Sequence, residues 1–357
     1  MIDKSRLIEI GQQQLGLLKE LSDASGVSGA EGAIREIILK QVTPLADEVV
    51  EDALGNIIAR KKGYQEGSLK VLLAAHMDEI GLMITVDDGD GLYQFERVGG
   101  IDVRQLPGKE VYVGKGRVPG VIGARAIHLT TAQQRKNAIP LDTLRIDVGP
   151  DSKVELGDRA VFATEFSENG KTMFGKALDD RLGVATLIEL MKTSLEHLDL
   201  YFAFTSQEEV GLRGARIAAF NTTPDIAIAV DATPAYDYPV DEGEPENSTY
   251  NTRLGFGAAI YTMDRATISD PRLISHFSST AEQSGIQFQF RQAGGGGTDA
   301  GAMHLQREGI PSISISVPLR NAHTAIGMVR ISDWENLVRL LQVGLMEIKP
   351  DLLAPQQ

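Results

Sequence analysis

Apolar positions near the start of the chain recur at helical spacing. Leu7, Ile10, Leu15, Leu18 and Leu21 mark one helix, and Ala33, Ile34, Ile37, Ile38 and Val42 mark a second. Ser28 and Glu31 stand ahead of the second run at capping-box spacing, so a capped start is expected there. Glu48 to Asp52 and Asn56 to Arg60 read as a hairpin around Leu54-Gly55. Lys70 to Ala75 is almost continuously apolar, as in a strand buried on both faces. The texture changes after about residue 85. Short β-like runs (Leu92 to Val98, Glu110 to Val113, Val121 to Ile122, Leu144 to Val148, Ala160 to Thr164) are separated by frequent turn residues, predicting a small β-barrel or sandwich. Beyond it, helices at 181–195, 213–220, 271–284 and 332–348 alternate with strands at 200–205, 225–230 and 313–317. That alternation predicts an α/β/α sandwich around a largely parallel sheet. The expected division is a main domain formed by 1–85 and 167–357, with 86–166 inserted. Asp241 to Asn251 reads as a polar loop.

Composition narrows the function classes. With 35 basic and 49 acidic residues the formal charge is −14, which disfavours sequence-independent nucleic-acid binding and docking on anionic membranes. Cysteine is absent, which removes disulfides, thiolate metal sites and a cysteine nucleophile. The strongest apolar runs, Val71 to Ala75 and Ile226 to Val230, fall far short of the ~20 residues that span a bilayer. Met1 to Arg6 is charged and leads into no apolar stretch of signal-peptide length, so a cytoplasmic protein is expected.

In open α/β sheets, ligands sit beyond the carboxyl ends of the strands. The residues just past each predicted strand of this chain are unusually rich in metal-binding side chains. Lys70 to Ala75 leads to His76-Met77-Asp78-Glu79, and Leu200 to Thr205 leads to Ser206-Gln207-Glu208-Glu209. Asp231 follows the 225–230 strand, His323 follows the 313–317 strand after a short loop, and Asp179-Asp180 stands before a helix. Singly, each has a structural use: helix capping for Asp179-Asp180, a solvated turn for Glu208-Glu209, a loop position for Asp231 or His323. Jointly they form a cysteine-free His/Asp/Glu set suited to zinc, cobalt or manganese. Two such ions, with a bridging carboxylate and a further carboxylate to move the proton, make a hydrolytic centre. The remaining histidines lack that placement: His197 and His276 read as surface residues, His128 lies in the insertion, and His304 reads as a packed histidine. Gly294 to Gly297 lacks the Gly-Lys-Ser/Thr of a phosphate loop and reads as a close backbone approach to the cleft.

These segments resemble the glutamyl/leucyl aminopeptidases of the tetrahedral (TET) type, some members of which have carried endoglucanase or cellulase labels. The matching stretches are Ala75-His76-Met77-Asp78-Glu79-Ile80-Gly81, Lys176-Ala177-Leu178-Asp179-Asp180-Arg181-Leu182-Gly183 and Ser206 to Ala215. Ala229 to Ala235 and Gly296-Gly297-Thr298-Asp299-Ala300-Gly301-Ala302 also match, and Gly99 to Asp102 and Gly120 to Gly123 match more loosely. The resemblance implies two divalent metal ions per subunit, with His76 and Asp231 on one, Glu209 and His323 on the other, and Asp179 or its neighbour Asp180 bridging, Asp179 being preferred. It implies Glu208 as general base and Asp78 as the carboxylate orienting His76. It also implies peptide substrates and an inserted barrel-like domain used for homo-oligomers from dimer to dodecamer. Where the family pattern has an aromatic residue and then His-Ser, this chain has Arg320-Asn321-Ala322-His323-Thr324. Acidic-residue preference would need a basic side chain in the specificity pocket, for which Lys176, Arg253 and Arg320 are candidates. The competing readings are another di-metal amide hydrolase (carboxypeptidase or deacylase), a metal-free glycosidase with paired carboxylates, and a catalytically silent binding module.

Overall fold

The computed structural model describes residues 7–65, 67–239 and 247–354. The Met1 to Arg6 reading, and 241–246 of the expected polar loop, lie outside the described residues. Two helices, α1 (Gln12–Asp23) and α2 (Gly32–Val42), precede the hairpin β1 (Glu48–Glu51) and β2 (Ile57–Lys61) and the buried strand β3 (Leu69–His76). Six strands come next: β4 (Gly81–Gly89), β5 (Leu92–Val98), β6 (Glu110–Val113), β7 (Val118–Gly123), β8 (Arg145–Asp147) and β9 (Arg159–Phe162). They close into a barrel in the order β4-β5-β8-β7-β6-β9. Closure hides the strand edges, and alternate residues such as Leu82, Ile84, Val111, Val113, Ile122 and Ile146 fill the interior.

The chain then makes β10 (Ser167–Asn169), β11 (Thr172–Gly175), α3 (Leu178–Leu190), β12 (Leu198–Thr205), α4 (Arg213–Thr222) and β13 (Ile226–Pro234). It finishes with β14 (Ala258–Tyr261), α5 (Pro271–Ser284), β15 (Phe288–Arg291), α6 (Ala300–Met303), β16 (Ser312–Leu319), β17 (Gly327–Arg330) and α7 (Ile331–Met346). The main sheet has eight strands in the order β1-β2-β12-β3-β13-β16-β14-β15. Its centre, β12-β3-β13-β16, is parallel, and antiparallel pairs join β2 to β12 and β14 to β16. The period of two along a strand assigns the faces. Val71, Leu73, Ile226, Ile228 and Val230 pack with α1, α3, α5 and α7, whereas Leu72, Ala74, Ala227 and Ala229 meet the alanines of α4 and α6. The result is the expected α/β/α sandwich with an inserted barrel.

Local expectations fail at two places. The start of α2 has no side-chain cap; the Ser28 hydroxyl instead donates to Asp78 Oδ2 at 2.5 Å, a tertiary bond that competes successfully with local capping. β13 also does not stop at Val230. It continues to Pro234 because Asp231 to Pro234 go on pairing with β16, so Asp231 sits within a strand. The short strands β14 and β15 go unpredicted: β14 is apolar throughout, and β15 shows its period of two, Phe288 and Phe290 against Gln289 and Arg291, over only four residues. A small sheet β10-β11-β17 ties the segment entering α3 to the segment leaving β16, with Gly175 opposite Gly327. No helix of the described residues is long and apolar enough to cross a membrane.

Candidate metal centre

The carboxyl ends of the parallel strands converge on one point. His76 ends β3, Asp231 lies in β13, and Glu208 and Glu209 follow β12. Asp179 and Asp180, joined by a cis peptide bond, lie in the first turn of α3 with non-helical backbone angles. His323 comes from the loop between β16 and β17, at a positive φ of 56°.

His76 Nε2 is 3.1 Å from Asp179 Oδ1, 3.8 Å from Asp231 Oδ1 and 3.9 Å from Glu208 Oε2. His323 Nε2 is 3.7 Å from Asp179 Oδ2 and 3.7 Å from Glu209 Oε2. The two oxygens of Asp179 therefore face the two histidines. Donor atoms of His76, Asp179 and Glu209, and of His76, Asp180 and Asp231, fall within 4.8 Å of one another. All seven residues singled out in the sequence are thus brought together, six by these contacts and Asp78 immediately behind them. Asp180 joins the group too: its Oδ1 accepts from the Gly183 amide at 2.9 Å, while its buried Oδ2 has no hydrogen-bond partner.

Both histidines are oriented from behind. His76 Nδ1 donates to the Asp78 carbonyl at 3.2 Å, and His323 Nδ1 donates to the Gly100 carbonyl at 2.8 Å. A carbonyl only accepts, so in each neutral ring the Nε2 lone pair is left facing the centre. Asp78 also accepts from the Ser28 hydroxyl and from the Glu208 and Glu209 amides, at 3.0 and 3.2 Å for the two amides. The Asp78 carboxylate thereby positions both glutamates, while His76 is held by the same residue's main-chain carbonyl, with Oδ1 at 3.5 Å from its Nδ1.

The electrostatics are those of acids crowded out of water. Burial, reinforced by Asp231, Asp299 and Glu209, pushes Glu208 well above the ordinary carboxylate range despite His76. Burial takes Glu209 up to about 7 and raises Asp231 and Asp180 strongly. Burial opposes the charge on His76 and His323 too, but the surrounding carboxylates outweigh it and both are raised. Asp179 is lowered, because His76 and His323 overcome its burial. Positive charge is what this cluster lacks, and divalent cations would supply it.

This chain matches the family model described as M42 glutamyl aminopeptidase over residues 55–340. It belongs to that family. Membership makes it a hydrolase of the metallo-aminopeptidase type. Among curated relatives, it is 39% identical over 340 residues to a putative aminopeptidase of Acetivibrio thermocellus, covering 92% of this chain and 98% of that one. It is 34% identical over 355 residues to a lysyl aminopeptidase of Pyrococcus furiosus, covering 95% and 99%. Its fold superposes with a TM-score of 0.82 on the Pyrococcus horikoshii TET1 peptidase, which can assemble into a tetrahedron or a large octahedral shell. That pair is 36% identical, over 94% of this chain and 100% of the other.

Around the M42 centre, several residues escape the sequence reading of individual roles. Asp299 is buried, accepts from Thr205 Oγ1 at 2.6 Å, and is pushed up to about 6 by burial. Gly99 and Gly100, from the barrel lobe, lie so close that a Cβ on Gly100 would sit 3.0 Å from His323 Nδ1, and one on Gly99 3.3 Å from Glu209 Oε2. Gly295 to Gly297 line the cavity beside His76, Glu208 and Asp231, as the close-approach reading of that run expects. Tyr238 reaches the loop that carries His323 and donates to Asn321 Oδ1 at 2.8 Å. Of the basic specificity candidates, Lys176 is buried with its ammonium 2.9 Å from Glu79, and Arg320 is paired with Asp237. Arg253 stacks over Tyr250. His197, His276 and His304 are half-buried, each hydrogen-bonded to a backbone carbonyl, so the first two are less exposed than expected, and His197 lies beyond α3, which ends at Leu190 rather than running to 195. His128 is exposed between β7 and β8.

Proposed function

We propose that this M42 chain is a two-ion aminopeptidase that removes N-terminal residues from peptides, with Glu208 as general base. The observation that carries the reading is the placement of the Asp179 oxygens, one toward each histidine. His76 and Asp231 would hold one ion, Glu209 and His323 the other, and Asp179 would bridge. Asp180 is the lesser candidate for the bridge, since one of its oxygens is engaged by the Gly183 amide. The donor set fits zinc, cobalt or manganese: imidazole and carboxylate donors, no thiolate, and an orphaned buried oxygen on Asp180. Such ions supply Lewis-acid polarisation of the scissile carbonyl and of water.

The chain's own residues do the rest. Glu208, which lines the same cavity as His76 and Asp231, accepts a proton from the attacking water and returns it to the leaving amine. Asp78 fixes His76 and the Glu208-Glu209 backbone, so base and ligands keep one geometry. The cavity lined by His76, Asp179, Glu208 and Asp231 is about 110 Å³, room for one side chain. We also infer that the barrel lobe serves assembly, between a dimer and a dodecamer. Light scattering tests this, and a monomer at working concentration would contradict it.

The activity test uses chelator-stripped protein, a peptide pool half of which is N-acetylated, and zinc, cobalt or manganese. Metal-dependent, stepwise shortening of the unblocked peptides alone is the expected result. Cleavage of blocked peptides would indicate a deacylase, and loss from the C-terminus a carboxypeptidase. No cleavage with any metal would indicate a binding module.

A further inference from the structure

Arg291, the last residue of β15, is only 4% exposed, yet it lines the same small cavity as His76, Asp179, Glu208 and Asp231. A buried guanidinium is normally matched by a carboxylate. Among the described residues, the polar partners of Arg291 are instead all neutral oxygens. Nε donates to Thr233 Oγ1 at 3.2 Å, Nη1 to the Gln292 carbonyl at 3.3 Å and Nη2 to the Gly295 carbonyl at 2.7 Å. The Tyr261 ring lies against the guanidinium, 4.6 Å from centroid to Cζ. Guanidinium carries five N–H donors, with two on each terminal nitrogen. Three are used here, which leaves one on Nη1 and one on Nη2. That pair is the fork that grips a carboxylate through both its oxygens.

We propose that Arg291 is the specificity residue of the site and that it reads the carboxylate of an acidic N-terminal residue. The substrates are then peptides beginning with glutamate or aspartate. This inference rests on the aminopeptidase reading above, and goes beyond it by naming the substrate class. Family membership leaves the matter open, since the family is described as glutamyl while one relative is a lysyl aminopeptidase. The cavity volume, about 110 Å³, is on the order of four waters, the scale of a short carboxylate side chain. Gly295, Gly296 and Gly297 form part of its wall and carry no side chain to fill it. The acids lining the cavity belong to the metal centre, so its one cationic side chain other than histidine is free to bind the substrate's acid.

The experiment compares four peptides identical except for an N-terminal Glu, Gln, Leu or Lys, with metal-loaded wild type, Arg291→Met and Arg291→Lys. Glu and Gln differ in charge but hardly in shape. Wild type should favour Glu over Gln by about ten- to a hundredfold in kcat/KM, the worth of a charge-assisted bond. In Arg291→Met the Glu/Gln ratio should collapse to one or below, chiefly through KM, and Arg291→Lys should keep part of it. Calorimetry should show free L-glutamate binding wild type more tightly than L-glutamine, with the difference lost in Arg291→Met. A wild type that treats Glu and Gln alike, or prefers Gln, Leu or Lys, overturns the proposal, and that result needs no variant to fold. An Arg291→Met that lowers Glu and Gln cleavage by the same factor also overturns it, leaving Arg291 as a prop for the glycine loop. Shortening of unblocked peptides without acidic preference sinks this inference alone; no shortening of any free-amine peptide sinks the aminopeptidase reading and this one with it.

Discussion

The two halves of the centre are built differently. The His76 half stands on the parallel sheet, with His76 ending β3 and Asp231 inside β13, both buried. Behind it Glu79 is buried against Lys176 and Arg181, at 2.9 and 3.3 Å, and accepts from the Gly26 amide. The same lysine and arginine reach the carbonyls of Leu21 and Ala24, so this cluster joins the end of α1, the exit of β3 and the approach to Asp179. The His323 half hangs on a loop, and its histidine is oriented by one carbonyl from the barrel lobe. The first half is set by the main domain's core; the second depends on where the barrel sits. We infer from this difference an ion site that is rigid beside one that responds to the insertion.

The largest expected effect lies on the rigid side. Glu208→Gln should keep its metal, measured by elemental analysis, and lose about 10²–10⁴-fold in kcat; near-normal turnover would remove it as the base. Glu79→Gln leaves two buried cations facing a neutral amide. It should cost about 3–5 kcal/mol of stability in denaturant unfolding, whereas a loss under 1 kcal/mol would mean that the cluster does not brace this half.

The comparison sharpens when each half is loosened without touching a ligand. Asp78→Asn keeps the carbonyl that holds His76 but removes the charge 3.5 Å from its Nδ1 and weakens the acceptor of the two glutamate amides, and should lower affinity for the first ion by about 10–100-fold and for the second by less. Gly100→Ala places a methyl 3.0 Å from His323 Nδ1, tight enough that the ring or the barrel loop must shift. It should weaken only the second ion, by a smaller factor, with unfolding stability nearly unchanged. Equal weakening of both ions by either variant would erase the distinction between the halves.

A test that perturbs no residue is pH dependence. Glu209 is raised to about 7 and Asp299 to about 6, both by burial, and His76 and His323 are raised by their carboxylate neighbours. A raised group binds its proton more tightly folded than unfolded, so its contribution falls as pH rises between the two values. The metal-free protein should therefore lose thermal stability from about pH 5 to pH 8, and a divalent cation should restore most of the loss at the upper end. Asp179 and Asp78, both lowered, act oppositely and only at acid pH. A flat profile for the metal-free protein would mean that the crowded acids relax apart.

Strand exits make much of this legible in the sequence. His76 and Glu208-Glu209 are placed by the apolar runs before them, because a buried parallel strand announces both its length and its end. Asp231 is found for a slightly wrong reason, as its strand runs on through Ala232 and Thr233. The features that stay hidden depend on contacts between distant segments. Ser28 has the spacing of a helix cap and spends its hydroxyl on Asp78, 50 residues away. Gly100 looks like any turn glycine until the barrel folds back onto His323. Lys176 reads as a free cation for a substrate acid, and the fold gives it to Glu79 instead. Arg291, on the polar side of a four-residue edge strand, reaches the cavity only through the pairing of β14 with β15 and that of β14 with β16.

The central claim is a centre of two ions held with unequal rigidity, and metal titration of the stripped protein tests it most directly. Calorimetry with manganese or zinc on wild type and His323→Ala should give two ions per chain in wild type, bound in separable steps. His323→Ala should lose the weaker step and keep the tighter one. A single ion in wild type, or loss of the tighter step in His323→Ala, would contradict the account.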